Sequence, residues 1–182
     1  MRLYNERYEM IKVLTVNVIL KYNINCIPIN GHELAIKMGI ILVPYSSRTE
    51  KQKAIFLKES EDGFVIQIND KYYIFYNDEI IYERQNFTIL HEIGHIVLGH
   101  TQDSELADAE ANFFAKYILV PPILVYKLKL TTAEEIMEYF KVSYTVATNA
   151  LEYYCKWYNA SPYLTDYEIN TIRIFDTLVA CN

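Results

Sequence analysis

Asn86-Phe87-Thr88-Ile89-Leu90-His91-Glu92-Ile93-Gly94-His95-Ile96-Val97-Leu98-Gly99 is the stretch that decides how this chain reads. Asn86 is a good helix N-cap and Gly99 a good stop, so the spacing predicts one helix between them. At about 100° per residue, Phe87, Ile89, Leu90, Ile93, Ile96, Val97 and Leu98 fill a broad apolar arc. Thr88, His91, Glu92, His95 and Gly99 share the narrow strip that remains. A surface helix would carry a wide charged face. This pattern instead predicts a core helix with a single polar seam opening onto a cleft.

His91 and His95 lie one helical turn apart on the same face. Two neutral imidazoles in that arrangement can hold one zinc ion, and Glu92 then stands beside it as a general base. The plain alternative is a pair of hydrogen-bonded structural histidines, in a chain that has four histidines in all. A catalytic zinc site usually takes three protein ligands, so a third is expected. His100 ends the same helix, but it would project from the apolar side if the helix continued. A histidine at a helix C-terminus is also favoured electrostatically without any metal. The following segment, Ser104 to Leu119, reads as a second helix stopped by Pro121-Pro122. Leu106, Phe113, Phe114, Tyr117 and Ile118 mark its apolar face, and Glu105, Asp108, Asn112 and Lys116 the opposite, solvated side. Glu110 stands among the apolar residues. A buried carboxylate needs a cation or a strong hydrogen-bonding partner, which makes Glu110 the expected third ligand. Arg84, Thr88 and Asn112 are candidates to hydrogen-bond around the site.

Upstream, the apolar spacing of Met10, Ile11, Leu14, Val18 and Ile19 predicts a helix from about residue 4 to 22. Pro28 and Gly31 mark a turn, His32 to Met38 a short helix with His32 at its surface, and Ile40 to Val43 a strand closed by Pro44. Ser46 to Lys53 reads as a charged loop and Ala54-Ile55-Phe56-Leu57 as a strand. Phe64 to Ile68 and Tyr72 to Tyr76 flank Asn69-Asp70-Lys71, the signature of a β-hairpin. Sheet followed by helices predicts an α+β fold. A sheet edge beside a metal cleft can also hold an extended peptide.

The chain has 182 residues, a net charge of −6 and 52% hydrophobic residues, which fits one globular unit and offers nothing to a polyanion. No apolar run is long enough to span a bilayer, and there is no secretory signal. Cys26, Cys155 and Cys181 show no pairing pattern and read as buried reduced thiols of a cytoplasmic protein.

Two stretches taken together resemble the ImmA/IrrE family of metallopeptidases. They are Phe87-Thr88-Ile89-Leu90-His91-Glu92-Ile93-Gly94-His95 and Glu110-Ala111-Asn112-Phe113-Phe114-Ala115-Lys116-Tyr117-Ile118-Leu119-Val120-Pro121. Leu90 stands where the family pattern has alanine and Ile118 where it has leucine. The resemblance, looser from about Tyr4 to Trp157, implies a small zincin-like α+β core over residues 1–125, with a C-terminal helical segment, 126–182, packed on it as one compact domain. It implies metal binding by His91, His95 and Glu110, and catalysis by Glu92. The metal would be one zinc ion, although such a ligand set also holds manganese, iron or cobalt. Short members of the family are intracellular and cleave helix-turn-helix repressors of phages or mobile elements, so such a repressor is the expected substrate. The rival expectation is a catalytically silent metal-binding regulator that binds a repressor without cutting it.

Thr131 to Phe140, Lys141-Val142-Ser143 and Tyr144 to Tyr158 read as helix, turn, helix. Only Lys156 is basic in the second helix, which leaves little to meet phosphates or base edges, so direct DNA binding is not expected. Pro162 to Asn182 reads as a last helix, with Ile169, Ile172, Phe175 and Val179 at helical intervals.

Overall fold

A computed structural model describes residues 5–102, 104–160 and 163–176. The fold is α+β. By its contacts the chain divides into two units, one formed by residues 30–115 and the other by residues 2–29 and 116–182. The first helix, α1 (Asn5–Lys21), therefore groups with the C-terminal helices.

The first unit opens with α2 (Gly31–Lys37), capped by the Asn30 side chain, and β1 (Ile41–Pro44). A short turn of 3-10 helix, Tyr45–Ser47, leads into α3 (Glu50–Glu59). The strand expected at Ala54 to Leu57 is thus helical. The decisive signal is the capping box Thr49-x-x-Gln52: each side chain bonds the other's backbone N–H and nucleates the helix. Ile55 is 63% exposed and Leu57 37%, so two of the residues that suggested a strand serve no core. Phe56 does, packing within 6 Å of the Tyr45, Phe64 and Phe75 rings.

β2 (Gly63–Ile68) and β3 (Lys71–Tyr76) form the expected hairpin. Its turn needs only Asn69 and Asp70, both at positive φ (48° and 61°), as a type I′ turn requires. Asn and Asp tolerate that conformation better than other side-chain-bearing residues. β3 is the middle strand: β1 pairs with it in parallel and β2 antiparallel, leaving one side of β2 as a free edge.

The central helix, α4 (Tyr82–Leu98), starts one turn before Asn86. Asn86 is therefore not its N-cap. It lies buried inside the helix, where its Oδ1 accepts the Gly31 backbone N–H at 2.6 Å and ties α4 to the start of α2. Ile89, Leu90 and Ile93 are fully buried, as the apolar arc required. Gly99 ends the helix in a left-handed turn, with φ at 69°. The next helix of the chain, α5, runs Glu105–Leu119, with Ser104 Oγ accepting the Ala107 N–H near its start.

In the second unit, α7 (Ala133–Phe140) and α8 (Tyr144–Ala160) form the expected helix-turn-helix, α6 (Pro122–Leu128) precedes them without having been expected, and α9 (Asp166–Ile174) falls within the expected last helix. α7 and α6 pack on α8, while α9 packs on α1 and α6. Glu168 is buried and caps α9 through the Thr165 N–H while accepting from the Trp157 indole. Lys12, 8% exposed, is held by Glu9 at 2.6 Å. Cys26 is disulfide-bonded and Cys155 is a free, exposed thiol, against the expectation of buried reduced thiols; Cys181 lies outside the described residues. So does Val179 of the expected last helix. No helix among the described residues is long and apolar enough to cross a membrane.

Replacing Asn86 by alanine leaves the Gly31 N–H buried without its acceptor. The expected cost is about 1–3 kcal/mol of unfolding free energy, measured by urea denaturation, with no comparable loss for alanine at exposed Glu105 of α5.

Candidate metal centre

α4 is fully buried at Ile89, Leu90 and Ile93, while Ile96 of its apolar arc joins the polar seam at the cleft. His91, Glu92 and His95 line that cleft, of about 790 Å³, together with Asp108 and Asn112 of α5. Across from them run Phe64, Val65, Ile66 and Gln67 of β2. Glu92 is 7% exposed. The two ring nitrogens His91 Nε2 and His95 Nε2 approach to 3.0 Å. Asp108 Oδ1 lies 3.5 Å from His95 Nε2, and one ligand atom from each of the three residues falls within 4.8 Å of the others.

The donor set fits a divalent metal. Two imidazole nitrogens bound about 2.0–2.1 Å from one tetrahedral ion would sit about 3.3 Å apart, close to the spacing here. Two nitrogen lone pairs aimed at each other repel unless a cation or a proton lies between them. Burial, and then the neighbouring His95, push the His91 imidazole down to about 4, against opposing effects of Asp108 and the Asn112 side chain. His91 is therefore neutral at pH 7, the form that ligates. The cleft lining also carries Glu59, Glu92 and Asp108 and, among the described residues, no lysine or arginine. Its electrostatics call for a cation.

The metal-capable cluster takes Asp108 beside the two histidines. Asp108, expected to be solvated, stands with the histidines, its side chain 60% exposed at the open side of the cleft. Glu110, expected as the third ligand, is 1% exposed and bonds His100 Nε2 at 2.9 Å. Helix phase brings Asp108 to the cleft. Leu106, taken to mark the core face of α5, is 44% exposed, whereas Ala107, Ala111 and Ala115 are buried. The true core face is this alanine stripe with Phe114. A Cβ on Gly94 would lie 3.1 Å from Ala111 Cα, so α4 and α5 meet almost backbone to backbone. With the helix turned that way, Asp108 and Asn112, one turn apart, border the cleft. The stripe A-x-x-x-A-x-x-x-A opposite a glycine was the signal that could have found it.

His100 was set aside on the premise of a continuing helix. At Gly99 the backbone reverses hand, and the His100 N–H returns to the His95 carbonyl at 3.0 Å. Its ring then lies against His95, Nδ1 to Nδ1 at 3.0 Å. Of the three residues expected to bond around the site, Asn112 hydrogen-bonds His91. Arg84 instead pairs with Asp62 at 2.6 Å, and Thr88 packs beneath Gly63, whose added Cβ would meet Thr88 Cγ2 at 2.7 Å. His32 is half-buried, edge-on to Tyr76 at 5.2 Å, rather than a surface residue.

The family model for the IrrE N-terminal-like domain, a peptidase family, matches residues 41–152, from β1 into α8. The chain belongs to this family. Its members are metallopeptidases, and the matched span includes every residue of the metal-capable cluster. No curated protein matches the chain.

Asp108→Ala removes the carboxylate of the metal-capable cluster. Its metal affinity, followed by the visible absorption of added cobalt(II), is expected to fall at least about 100-fold, beyond what losing an outer hydrogen-bond partner costs. Glu105→Ala, one turn away and exposed, is expected to leave the titration unchanged.

Proposed function

We propose that this chain is a zinc-dependent endopeptidase in which His91 and His95 hold the ion, Glu110 of the second motif or the neighbouring Asp108 supplies the third ligand, and Glu92 is the catalytic base. The observation that carries this reading is the convergence of two Nε2 atoms and a carboxylate within 4.8 Å, beside a buried glutamate in an open cleft. Membership of a metallopeptidase family supports it independently.

When bound, zinc supplies Lewis acidity and makes water nucleophilic near neutral pH. The residues of the chain do the rest. A Glu92 carboxylate oxygen takes a proton from the attacking water as its oxygen bonds to the scissile carbonyl carbon. The same oxygen then delivers that proton to the amine nitrogen as the C–N bond breaks, a role worth about 10²–10⁴-fold in rate. Asn112 orients His91 through its side-chain hydrogen bond. β2 offers a free edge along the cleft, where an extended peptide can add as a further strand through main-chain hydrogen bonds. Ile66 and Ile68, 37% and 47% exposed on that strand, favour apolar side chains in the bound segment.

The cleft and its strand edge support a protein substrate. The likeness of the two motif stretches to short ImmA/IrrE members supports a helix-turn-helix repressor of a phage or mobile element. Incubation of the zinc-loaded chain with its cognate repressor, followed by intact-mass spectrometry, tests this. Two new fragments are expected with the wild type. With Glu92→Gln the cleavage rate is expected to drop about 10²–10⁴-fold while bound zinc stays near one per chain. Full activity in Glu92→Gln would contradict the mechanism. Release of the repressor from its operator without fragments would favour a silent regulator.

A further inference from the structure

The negative charge of the chain belongs to its first unit. Residues 30–115 carry fourteen acidic and seven basic side chains, whereas residues 2–29 and 116–182 carry nine and ten. An ion at the metal centre offsets the carboxylates beside it, but Glu59 stands apart from that centre. It is the last residue of α3 and lines the same cleft. Its exposed carboxylate has no hydrogen bond or ion pair to a described residue.

Glu59 sits on a braced corner. The buried Tyr45 donates its hydroxyl to the Ser60 carbonyl at 3.1 Å, and Ser60 Oγ accepts the Asp62 and Gly63 N–H groups at 3.2 and 3.0 Å. Tyr45 in turn packs on the Phe56 and Phe64 rings. The charge is thus held where α3 hands over to β2, the strand whose free edge runs along the cleft. Burial, and then the carboxylates of Glu92, Asp62 and Glu59, push the Tyr45 phenol up to about 12, so negative potential reaches into this wall. Towards the other end of β2 the cleft is lined by Gln67 and its cross-strand partner Tyr72, which add hydrogen-bonding groups but no carboxylate.

An extended peptide added to β2 presents alternate side chains to one wall at fixed spacing. A cationic side chain beside Glu59 gains an ion pair with an unpaired carboxylate, while an acidic one meets like charge. The acidic excess of the whole unit also draws a cationic partner toward the cleft. We propose that the cleft takes an extended segment of its protein substrate that carries a lysine or arginine, with Glu59 as the residue that selects that side chain. The proposal rests on the peptidase reading for the nature of the partner and adds the chemistry of the segment. A DNA-binding repressor, which must meet phosphates, has such residues in supply.

The test incubates the zinc-loaded chain with a synthetic library of randomised peptides, each long enough to lie along β2, and reads the new termini by mass spectrometry. Lysine and arginine are expected to be enriched about 5-fold at one fixed distance from the cut bond, a preference that fades in roughly 0.5 M salt. Glu59→Gln is expected to abolish the preference through KM rather than kcat. Glu59→Lys is expected to replace it by aspartate and glutamate at the same position, a reversal that a merely structural role would not produce. Cleavage without a basic preference, or with one that survives Glu59→Lys, would overturn the proposal. A library left uncut by the wild type counts against the peptidase reading instead, and binding then decides on the cleft. A fluorescein-labelled peptide with one lysine is expected to bind the zinc-loaded chain about 5-fold more tightly than the same peptide with glutamine in its place. Equal or undetectable binding overturns the proposal.

Discussion

The close approach of α4 and α5 at Gly94 is the constraint on which the site depends. His91 and His95 are fixed to one helix and Asp108 to the other, so the distance between helices sets whether three ligand atoms can converge. A Cβ at residue 94 would press on Ala111 Cα and Phe114 at 3.1 Å, tighter than ordinary contact. The alanine at 111 meets the glycine from the other side. Small residues on both faces let the backbones draw together, and the donors end within 4.8 Å. A larger side chain at either position would fill the gap with apolar volume and push Asp108 away from the histidines. Packing and chemistry are coupled through one contact.

Much of this was legible in the sequence, because periodicity constrains what it constrains well. The seam of α4 could be read from angles alone: seven apolar residues leave room for only one polar strip, and the two histidines fall on it. The hairpin was legible because Asn-Asp between two β-rich runs has few other uses. What could not be read was relative rotation. On α5 the buried face consists of alanines, which carry little hydrophobic signal, while Leu106 carries a strong one and is exposed. Weighting by residue size turned the expected core face of the helix by less than one residue's angle, enough to hide that Asp108 borders the cleft. For His100 the obstacle was a single left-handed residue. Gly99 was recognised as a stop, but where the chain goes after a stop depends on backbone geometry that composition does not encode. Ala54 to Leu57 failed for a related reason: apolar content suggested a strand, while the capping box at Thr49 and Gln52 specified a helix.

Strand order β1-β3-β2 places β2 at the margin of the sheet, with Gly63 at its start packed on Thr88 of α4. That contact anchors the strand to the metal helix. A peptide lying along the edge would therefore be registered against the donors by backbone hydrogen bonds, whose spacing is independent of sequence. Selectivity would then come from the side chains flanking the cleft and from surfaces beyond it.

Charge explains why the cluster takes the form it does. Glu92 and Glu110 are 7% and 1% exposed, and Asp108 joins them at the mouth, while the cleft lining holds no lysine or arginine among the described residues. Carboxylates withdrawn from water are costly unless a cation or strong donors meet them. Neutral imidazoles can donate one hydrogen bond each but cannot cancel charge, and His91 is held neutral by its burial. A divalent ion held at the cluster would supply the missing positive charge. His100 meets part of the demand for a partner that the buried Glu110 places on the fold, at 2.9 Å.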